Sequence, residues 1–425
     1  MRIIRTIESF YPKVHGPANQ AFKISSELEK RGISSPIYTT DFDVNKVPDK
    51  EKIENVDVKR FHAKKRIFKY IYSPDMKKAL NNTDFDIIHS HCYRSYQSDI
   101  GFKIAKARTK NCIDYNDSNN NNNNNNNSKM KKPFVISTHG TLLSYKHFVG
   151  FPWNIAFELY DILTLKKCVK KADAVVVNST QEYNEAIKFG VKRERLHLIP
   201  VGIDIEDYEM KRSFENNSTL NLLYIGRITR NRPLLPILKA IQLINKNKID
   251  GINDPKSHEE TKRKKVNLII IGSEVRSSFS AKKGYLDELK DFVNSNNDDN
   301  NNLNKYITFI PHKTKKELLE FYRKADVFIY PSVYESFGQP LLEAAASGLP
   351  ILCSRVGVAN DLFKYADTDK ILIDNNPKKI AEKIKGMFNV NIRKEISEKN
   401  LEVVKKEFNW KKIIDKYVEL YTNLV

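Results

Sequence analysis

Cysteine is scarce in this chain: Cys92, Cys112, Cys168 and Cys353 lie scattered through 425 residues, and no two form a CxxC pair. A disulfide-built scaffold and a thiolate clamp for zinc are therefore excluded, and a reducing compartment is expected. Long hydrophobic runs are lacking too. The longest uncharged apolar stretches, residues 133–145 and 344–354, fall short of the roughly 18–20 residues that cross a bilayer, so no membrane-spanning helix is expected. The opening MRIIRTIESFYP places Arg5 and Glu8 where a secretion signal needs an unbroken apolar core. A cytoplasmic location is the resulting expectation.

What is present suffices to fold. The composition is 40% apolar and 29% charged, unlike that of a chain disordered throughout. At 425 residues it exceeds one ordinary hydrophobic core, so two domains are expected. Its 72 basic and 52 acidic side chains leave a net charge of +20, which favours nucleotides, nucleic acid or acidic lipid without choosing among them.

Short apolar runs recur at residues 2–7, 87–90, 134–138, 174–178 and 196–199, then at 220–226, 267–272, 306–310, 326–330 and 350–354. Between them lie stretches with helical spacing, such as Ala21, Ile24 and Leu28 ahead of Gly32. Alternating strand and helix predicts an α/β chain whose parallel sheets are covered on both faces. The pattern lapses after Asp204 and restarts at 220, predicting two Rossmann-like doubly wound domains, residues 1–203 and 204–405. The closing FNWKKIIDKYVELY sets Phe408, Ile413, Ile414, Tyr417 and Leu420 near one helical face, so residues 406–425 are expected to return as a helix to the first domain. The asparagine-rich tracts at 119–127 and 294–302 have nothing apolar to bury, and the segments 116–130, 251–265 and 294–304 read as polar surface insertions.

Residues 325–354, ADVFIYPSVYESFGQPLLEAAASGLPILCS, read as strand, loop, helix, strand. Pro340 suits the first helical position, and unpaired N–H groups of Leu341 and Leu342 would make the helix mouth attractive to phosphate. Glu335 and Glu343 flank this mouth with seven residues between them. Carboxylates suit sugar hydroxyls better than phosphate, so one would hold a ribose and the other a transferred sugar. The alternative makes Glu335 a solvated loop residue and Glu343 a partner of the helix dipole. GRITRNRP, residues 226–233, follows the first strand of the second half, where an open α/β sheet binds ligands. Arg227 and Arg232 there would neutralise a departing diphosphate without a metal, unless the loop is merely solvated and basic.

Together with LIPVGID at 198–204, SGLPILCSRVG at 347–357 and the terminal FNW helix, in this order, these motifs make the chain similar to the retaining family 4 glycosyltransferases of the GT-B fold. The resemblance spans essentially the whole chain outside the polar insertions. It implies two Rossmann-like domains facing across a cleft. There a sugar would pass from a nucleoside-diphosphate donor, UDP- or GDP-linked, to a glycan or lipid-linked acceptor, with anomeric configuration retained and no cofactor or catalytic metal. Arg227 and Arg232 resemble the pair gripping the donor diphosphate, Glu335 the residue contacting the donor sugar, and Glu343 the one holding ribose hydroxyls. Phe337, Gly338, Leu341 and Leu342 would supply backbone around the donor. His139 in STHGT resembles the histidine facing the reacting sugar, where it would fix a donor hydroxyl or shield an oxocarbenium-like charge; a histidine capping the strand end is the alternative. Gly16 belongs to the first strand–helix loop, which in the family closes over the substrates. Three positions depart from the family pattern: Arg232 replaces a lysine, Pro233 a glycine, and Pro17 one of a glycine pair.

Rival readings have weaker support. Acidic triplets at 41–43, 84–86 and 367–369 lack the further ligands of a metal site, and His89 and His91 share a strand face without an evident third partner. Nucleic-acid binding is suggested by basic-aromatic KRFHAKKRIFKYIY at 59–72, but no reader motif accompanies it. That stretch better suits docking on an anionic membrane, a peripheral place on its cytoplasmic face, or guidance of a lipid-linked acceptor. A GT-B-like sugar-nucleotide epimerase or hydrolase would share the donor site but not the acceptor.

Overall fold

The computed structural model describes the chain apart from residues 13–14, 43, 45, 68–69, 119–131, 144–145, 147–149, 151–152, 211, 247–263, 275–283, 297–301 and 365–366. Most of the first two predicted insertions, and residues 297–301 of the third, lie outside the described residues. The margins of those insertions are regular structure instead: residues 116–118 finish helix Tyr96–Ser118, residues 294–295 finish helix Tyr285–Ser295, and Lys265 opens a strand. The described chain forms two compact units, residues 1–201 with 410–425, and residues 202–409. No helix among the described residues is long and apolar enough to cross a membrane.

The first unit contains strands β1 (Ile3–Thr6), β2 (Ile37–Thr40), β3 (Lys50–Ile53), β4 (Val56–Phe61), β5 (Lys65–Ile67), β6 (Tyr70–Tyr72), β7 (Ile87–His91), β8 (Phe134–Ser137), β9 (Ala174–Val177) and β10 (Leu196–Leu198). Eight of them form one sheet in the order β10-β9-β8-β7-β1-β2-β4-β3, parallel except at the β3 edge; β5 and β6 pair separately. Strand alternation sorts the residues into two faces. Ile4, Ile88, Ile136 and Val175 pack against helices carrying Met76, Leu80 and Ile100. Ile3, Ile87, Val135 and Val176 pack against Ile24 and Leu28 of helix Gly16–Glu29 and against the C-terminal helix Trp410–Leu424. That last helix buries Ile413, Ile414, Tyr417, Leu420 and Tyr421, one stripe at helical spacing. Phe408 does not join this face. It caps the preceding helix Val390–Glu407 in the second unit, where it is buried beside the Phe337 ring.

On the face toward the C-terminal helix each central strand begins apolar and ends polar: Ile3 then Arg5, Ile87 then His89 and His91, Val135 then Ser137. The register sets Arg5 beside His89 and His91 beside Ser137. Beyond β8 the chain turns sharply at His139 (φ 48°) and Gly140 (φ 72°). Buried Glu182 holds this turn from the first turn of helix Thr180–Phe189, accepting from the Thr138 hydroxyl, from Gly140 N–H and, at 2.8 Å, from Asn178 N–H.

The second unit has a five-stranded parallel sheet. Its strands are β11 (Thr219–Ile225), β12 (Lys265–Ile271), β13 (Ile307–Ile310), β14 (Val327–Tyr330) and β15 (Ile351–Cys353), in the order β13-β12-β11-β14-β15. Buried on both faces, these strands are near-continuous apolar runs. The order reverses between β11 and β14, so the loops leaving these strands diverge at the sheet's C-terminal edge and form a topological switch point.

Two outcomes are expected. Ile414→Ala removes a fully buried side chain from the first unit and should destabilise it by roughly 2–5 kcal/mol, seen as an earlier urea transition for that unit and an unmoved one for the second. Burial pushes the Glu182 carboxyl up to about 7 against its hydrogen bonds from Thr138, Asn178 and Gly140. The folded state then holds a proton that the unfolded chain releases near pH 4.5, so this stabilisation is full below that pH and is lost as pH rises through about 7. Denaturation measured across this window should show a loss of a few kcal/mol in the first unit, and Glu182→Gln should abolish that part of the slope.

Candidate functional site

The loops after β11 and β14 are tied together at the switch point by Val333 N–H donating to Asn231 O, 2.9 Å. They bring Arg232 onto Glu335. Arg232 Nε and Nη2 both lie 2.8 Å from Glu335 Oε1, and each side chain is only about a tenth exposed. The same oxygen receives the Tyr330 hydroxyl at 3.0 Å and lies 2.9 Å from Ser332 Oγ. The Arg232 guanidinium also sits over the Tyr330 ring, 5.3 Å from its centroid. Oε1 is thus saturated, whereas no hydrogen bond from a described residue reaches Oε2. An ionised carboxylate has about four acceptor positions, so this arrangement fixes the group and leaves one oxygen for a ligand hydroxyl.

Backbone geometry makes the loop possible. Gly357 adopts φ 53°, and a Cβ there would lie 2.3 Å from Phe337 O and 3.0 Å from Glu335 Cβ. The next residue, Val358, donates its N–H to that Phe337 carbonyl at 2.6 Å. SRVG therefore braces the Glu335 loop from beneath, through a residue whose spacing alone suggests no such contact.

The remaining expected residues divide. Arg227 is exposed, five positions before Arg232 in the same loop, and its side chain makes no hydrogen bond or ion pair among the described residues. Gly338, at φ 91°, is the N-cap of helix Gln339–Ala346, with Pro340 in its first turn. Leu341 corrects the sequence expectation: its N–H donates to Gly338 O at 2.9 Å, because the left-handed cap turns that carbonyl back over the first turn. The Leu341 and Leu342 side chains are both buried in the core. Phe337 commits its carbonyl to Val358 and its ring to Phe408.

Glu343 does not share the partners of Glu335. Its Oε2 accepts from Tyr322 OH at 3.0 Å, with Tyr208 and Gln339 also hydrogen-bonding to the carboxylate. Burial raises its pKa above the ordinary carboxylate range against these bonds and against the nearby Lys315 charge. Rings of Tyr322, Phe328, Tyr330 and Tyr224 stand in sequence between the two glutamates' environments, neighbouring centroids 5.8–6.0 Å apart. Tyr208, Tyr322, Tyr330 and Ser332 are thus contributors that motif spacing does not reveal. An aromatic at a strand end is ordinarily read as core.

In the first unit Gly16 is not in the loop. It is the first residue of helix Gly16–Glu29, capped by His15, whose Nδ1 accepts from Ala18 N–H at 3.3 Å. Pro17 falls in the first turn, where its missing donor costs little. His139 Nε2 lies 2.8 Å from His91 Nδ1, and the two rings are stacked at 5.1 Å. Burial, then the His15 charge, pushes the His139 pKa down to about 3, so the ring is neutral at physiological pH.

Comparison with known proteins places the chain in a family. Residues 206–403 match the family model described as Glycosyl transferases group 1, and residues 124–207 match Glycosyltransferase Family 4. An uncharacterized glycosyltransferase of Methanocaldococcus jannaschii is 26% identical, over 81% of this chain and 77% of its own length. The alpha-monoglucosyldiacylglycerol synthase of Streptococcus pneumoniae is 24% identical, over 85% of this chain and 73% of that protein. In fold, Anabaena HepE solved with UDP and glucose superposes with a TM-score of 0.63 at 15% identity, over 99% of both chains. With the two family models matching a continuous span from residue 124 to residue 403, and with this fold, the chain belongs to the family 4 glycosyltransferases of the GT-B fold and is a glycosyltransferase.

Proposed function

We propose that this enzyme transfers a sugar from a nucleoside-diphosphate donor, with retention of anomeric configuration and without a catalytic metal. The observation that carries the reading is the Arg232–Glu335 pair at the switch point, with one carboxylate oxygen saturated and the other open. Glu335 Oε2 accepts from a hydroxyl of the transferred sugar and thereby fixes its orientation. Arg227, exposed in the same loop, neutralises the diphosphate as the glycosidic bond breaks, with Arg232 adding its charge from behind. Glu343 takes ribose hydroxyls by exchanging them for a tyrosine bond. Neutral His139 meets a hydroxyl of the reacting sugar. HepE, the structural neighbour solved with UDP and glucose, supports a UDP-linked donor.

A lipid-linked acceptor is the reading favoured on the acceptor side. Residues 59–72 offer little to insert among the described residues: Phe61 packs on Tyr38, Tyr70 bonds to Asp99 at 2.9 Å and Ile71 is buried, which leaves Tyr72, 44% exposed with one edge against Tyr96; Phe68 lies outside the described residues. Helix Trp153–Thr164 instead exposes Ile155, Leu159, Ile162 and Leu163 on one stripe, the last two 67% and 74% exposed. Lys166, Lys167, Lys170 and Lys171 follow it. Apolar side chains flanked by cations fit an anionic bilayer surface. The streptococcal relative's name, a synthase of a glucosylated diacylglycerol, agrees with such an acceptor.

Arg227→Ala and Glu335→Gln are each expected to lower turnover about a hundredfold or more with folding retained, while chelation of divalent cations leaves turnover unchanged. Product analysis with UDP- and GDP-sugars checks this; free sugar as the sole product, or full activity in both variants, defeats the assignment. Sedimentation with phosphatidylglycerol vesicles should fall when Leu159, Ile162 and Leu163 become Ser, and much less when Lys64, Lys65 and Arg66 become Glu. The reverse ranking, or undiminished binding by both, removes the docking helix.

A further inference from the structure

Arg5 is fully buried, and every recorded partner of its side chain is neutral. Its Nε donates to Ser35 Oγ at 3.1 Å and its Nη2 to Tyr421 OH at 2.8 Å, while Nη1 lies 3.0 Å from His89 Nδ1 and 3.4 Å from His91 Nε2. Removing a cation from water without an anion is expensive, so such a group persists only where several dipoles point at it.

A guanidinium can only donate, and its position therefore dictates where the imidazole protons are. His89 Nδ1 and His91 Nε2 are acceptors. His89 then carries its proton on Nε2, 2.8 Å from Ser137 Oγ, and Tyr421 OH, 2.6 Å from Nδ1, donates to it. His91 carries its proton on Nδ1 and gives it to His139 Nε2 at 2.8 Å. His139 Nε2 is an acceptor in turn, which leaves its proton on Nδ1, a nitrogen with no hydrogen-bond partner among the described residues.

We propose that Arg5, acting through His91, is the positioning residue that fixes the tautomer of His139, so that the ring presents an Nδ1–H donor to a substrate oxygen. The proposal rests on the reading of His139 as a sugar-facing group. The two tautomers of a neutral imidazole are close in energy, and an unanchored ring would divide its population between them. The stacked rings of His89, His91 and His139, with centroids 4.9 Å and 5.1 Å apart, pass the constraint from a buried cation on β1 to the turn beyond β8. Burial and the Arg5 charge hold His89 neutral, and burial with the neighbouring histidines and Arg5 does the same for His91, so the relay keeps its acceptors. Tyr421 places the C-terminal helix in the array.

Histidine side-chain 15N correlation spectra of the intact enzyme test this, with His139 assigned from the signal lost in His139→Asn. Wild-type His139 is expected as a single neutral Nδ1–H tautomer around neutral pH. His91→Phe should turn it into a mixture and lower turnover about 10–100-fold, with the donor KM changed by less than about twofold. His91→Asn, which keeps an N–H where Nδ1 stood, should restore both the single tautomer and most of the turnover. Arg5→Met is expected to match His91→Phe; should it fail to fold, the His91 pair carries the test. An Nε2–H or mixed tautomer in the wild type, or a His91→Phe enzyme with tautomer and turnover unchanged, overturns the relay. Undiminished transfer by His139→Ala overturns instead the functional reading beneath it.

Discussion

The second unit is organised around one carboxylate oxygen. Glu335 Oε1 accepts both nitrogens of the Arg232 fork and the Tyr330 hydroxyl, with Ser332 within reach, and this convergence makes the loops after β11 and β14 a single rigid object. The pair is largely removed from water, so breaking it by losing one partner would leave an unmatched charge. Gly357 keeps the loop where the contact forms, because any Cβ at that position would overlap the Phe337 carbonyl. If the proposed donor binds here, its site is arranged before the ligand arrives, and the reorganisation normally needed at the moment of bond breaking is reduced.

The first unit solves a related problem with opposite means. Its strands carry their polar residues at the C-terminal ends, and the parallel register sets Arg5, His89, His91 and Ser137 in adjacent rows of a buried face. Among the described residues no carboxylate pairs with Arg5. Serine, tyrosine and two imidazole lone pairs do so collectively, and those lone pairs are useful only while the rings are neutral. The electrostatic consequence runs in one direction: a fixed cation forbids further protonation nearby and orders the protons that remain. Glu182 supports the same turn from another side, through bonds to Thr138 and Gly140 on either side of His139.

Much of this is legible in the amino-acid sequence. Strand and helix alternate with the right periods because parallel strands must be apolar on both faces, and the C-terminal helix shows its stripe in the spacing of Ile413, Ile414, Tyr417 and Leu420. The EX7E spacing and the GRIT loop are visible for the same local reason: they lie within a few residues of strands and helix starts whose positions are plain. Phe408 shows the limit. Its hydrophobicity fits the helical face on paper, but the helix begins at Trp410, and Phe408 caps the preceding one.

The sequence by itself thus determines which residues stand at strand ends, because periodicity and turn chemistry are properties of neighbours along the chain. It does not determine which strand ends meet. Arg232 and Glu335 are 103 positions apart, and Arg5 and Tyr421 are 416 apart; each pair depends on strand order, register and the return of the last helix. Only the tertiary structure decides that Leu341 spends its N–H on its own cap, that Phe61 and Tyr70 turn to Tyr38 and Asp99, and that a cation beneath three histidines selects their protons. Those are outcomes of desolvation, and what is desolvated depends on what the rest of the chain brings to cover it.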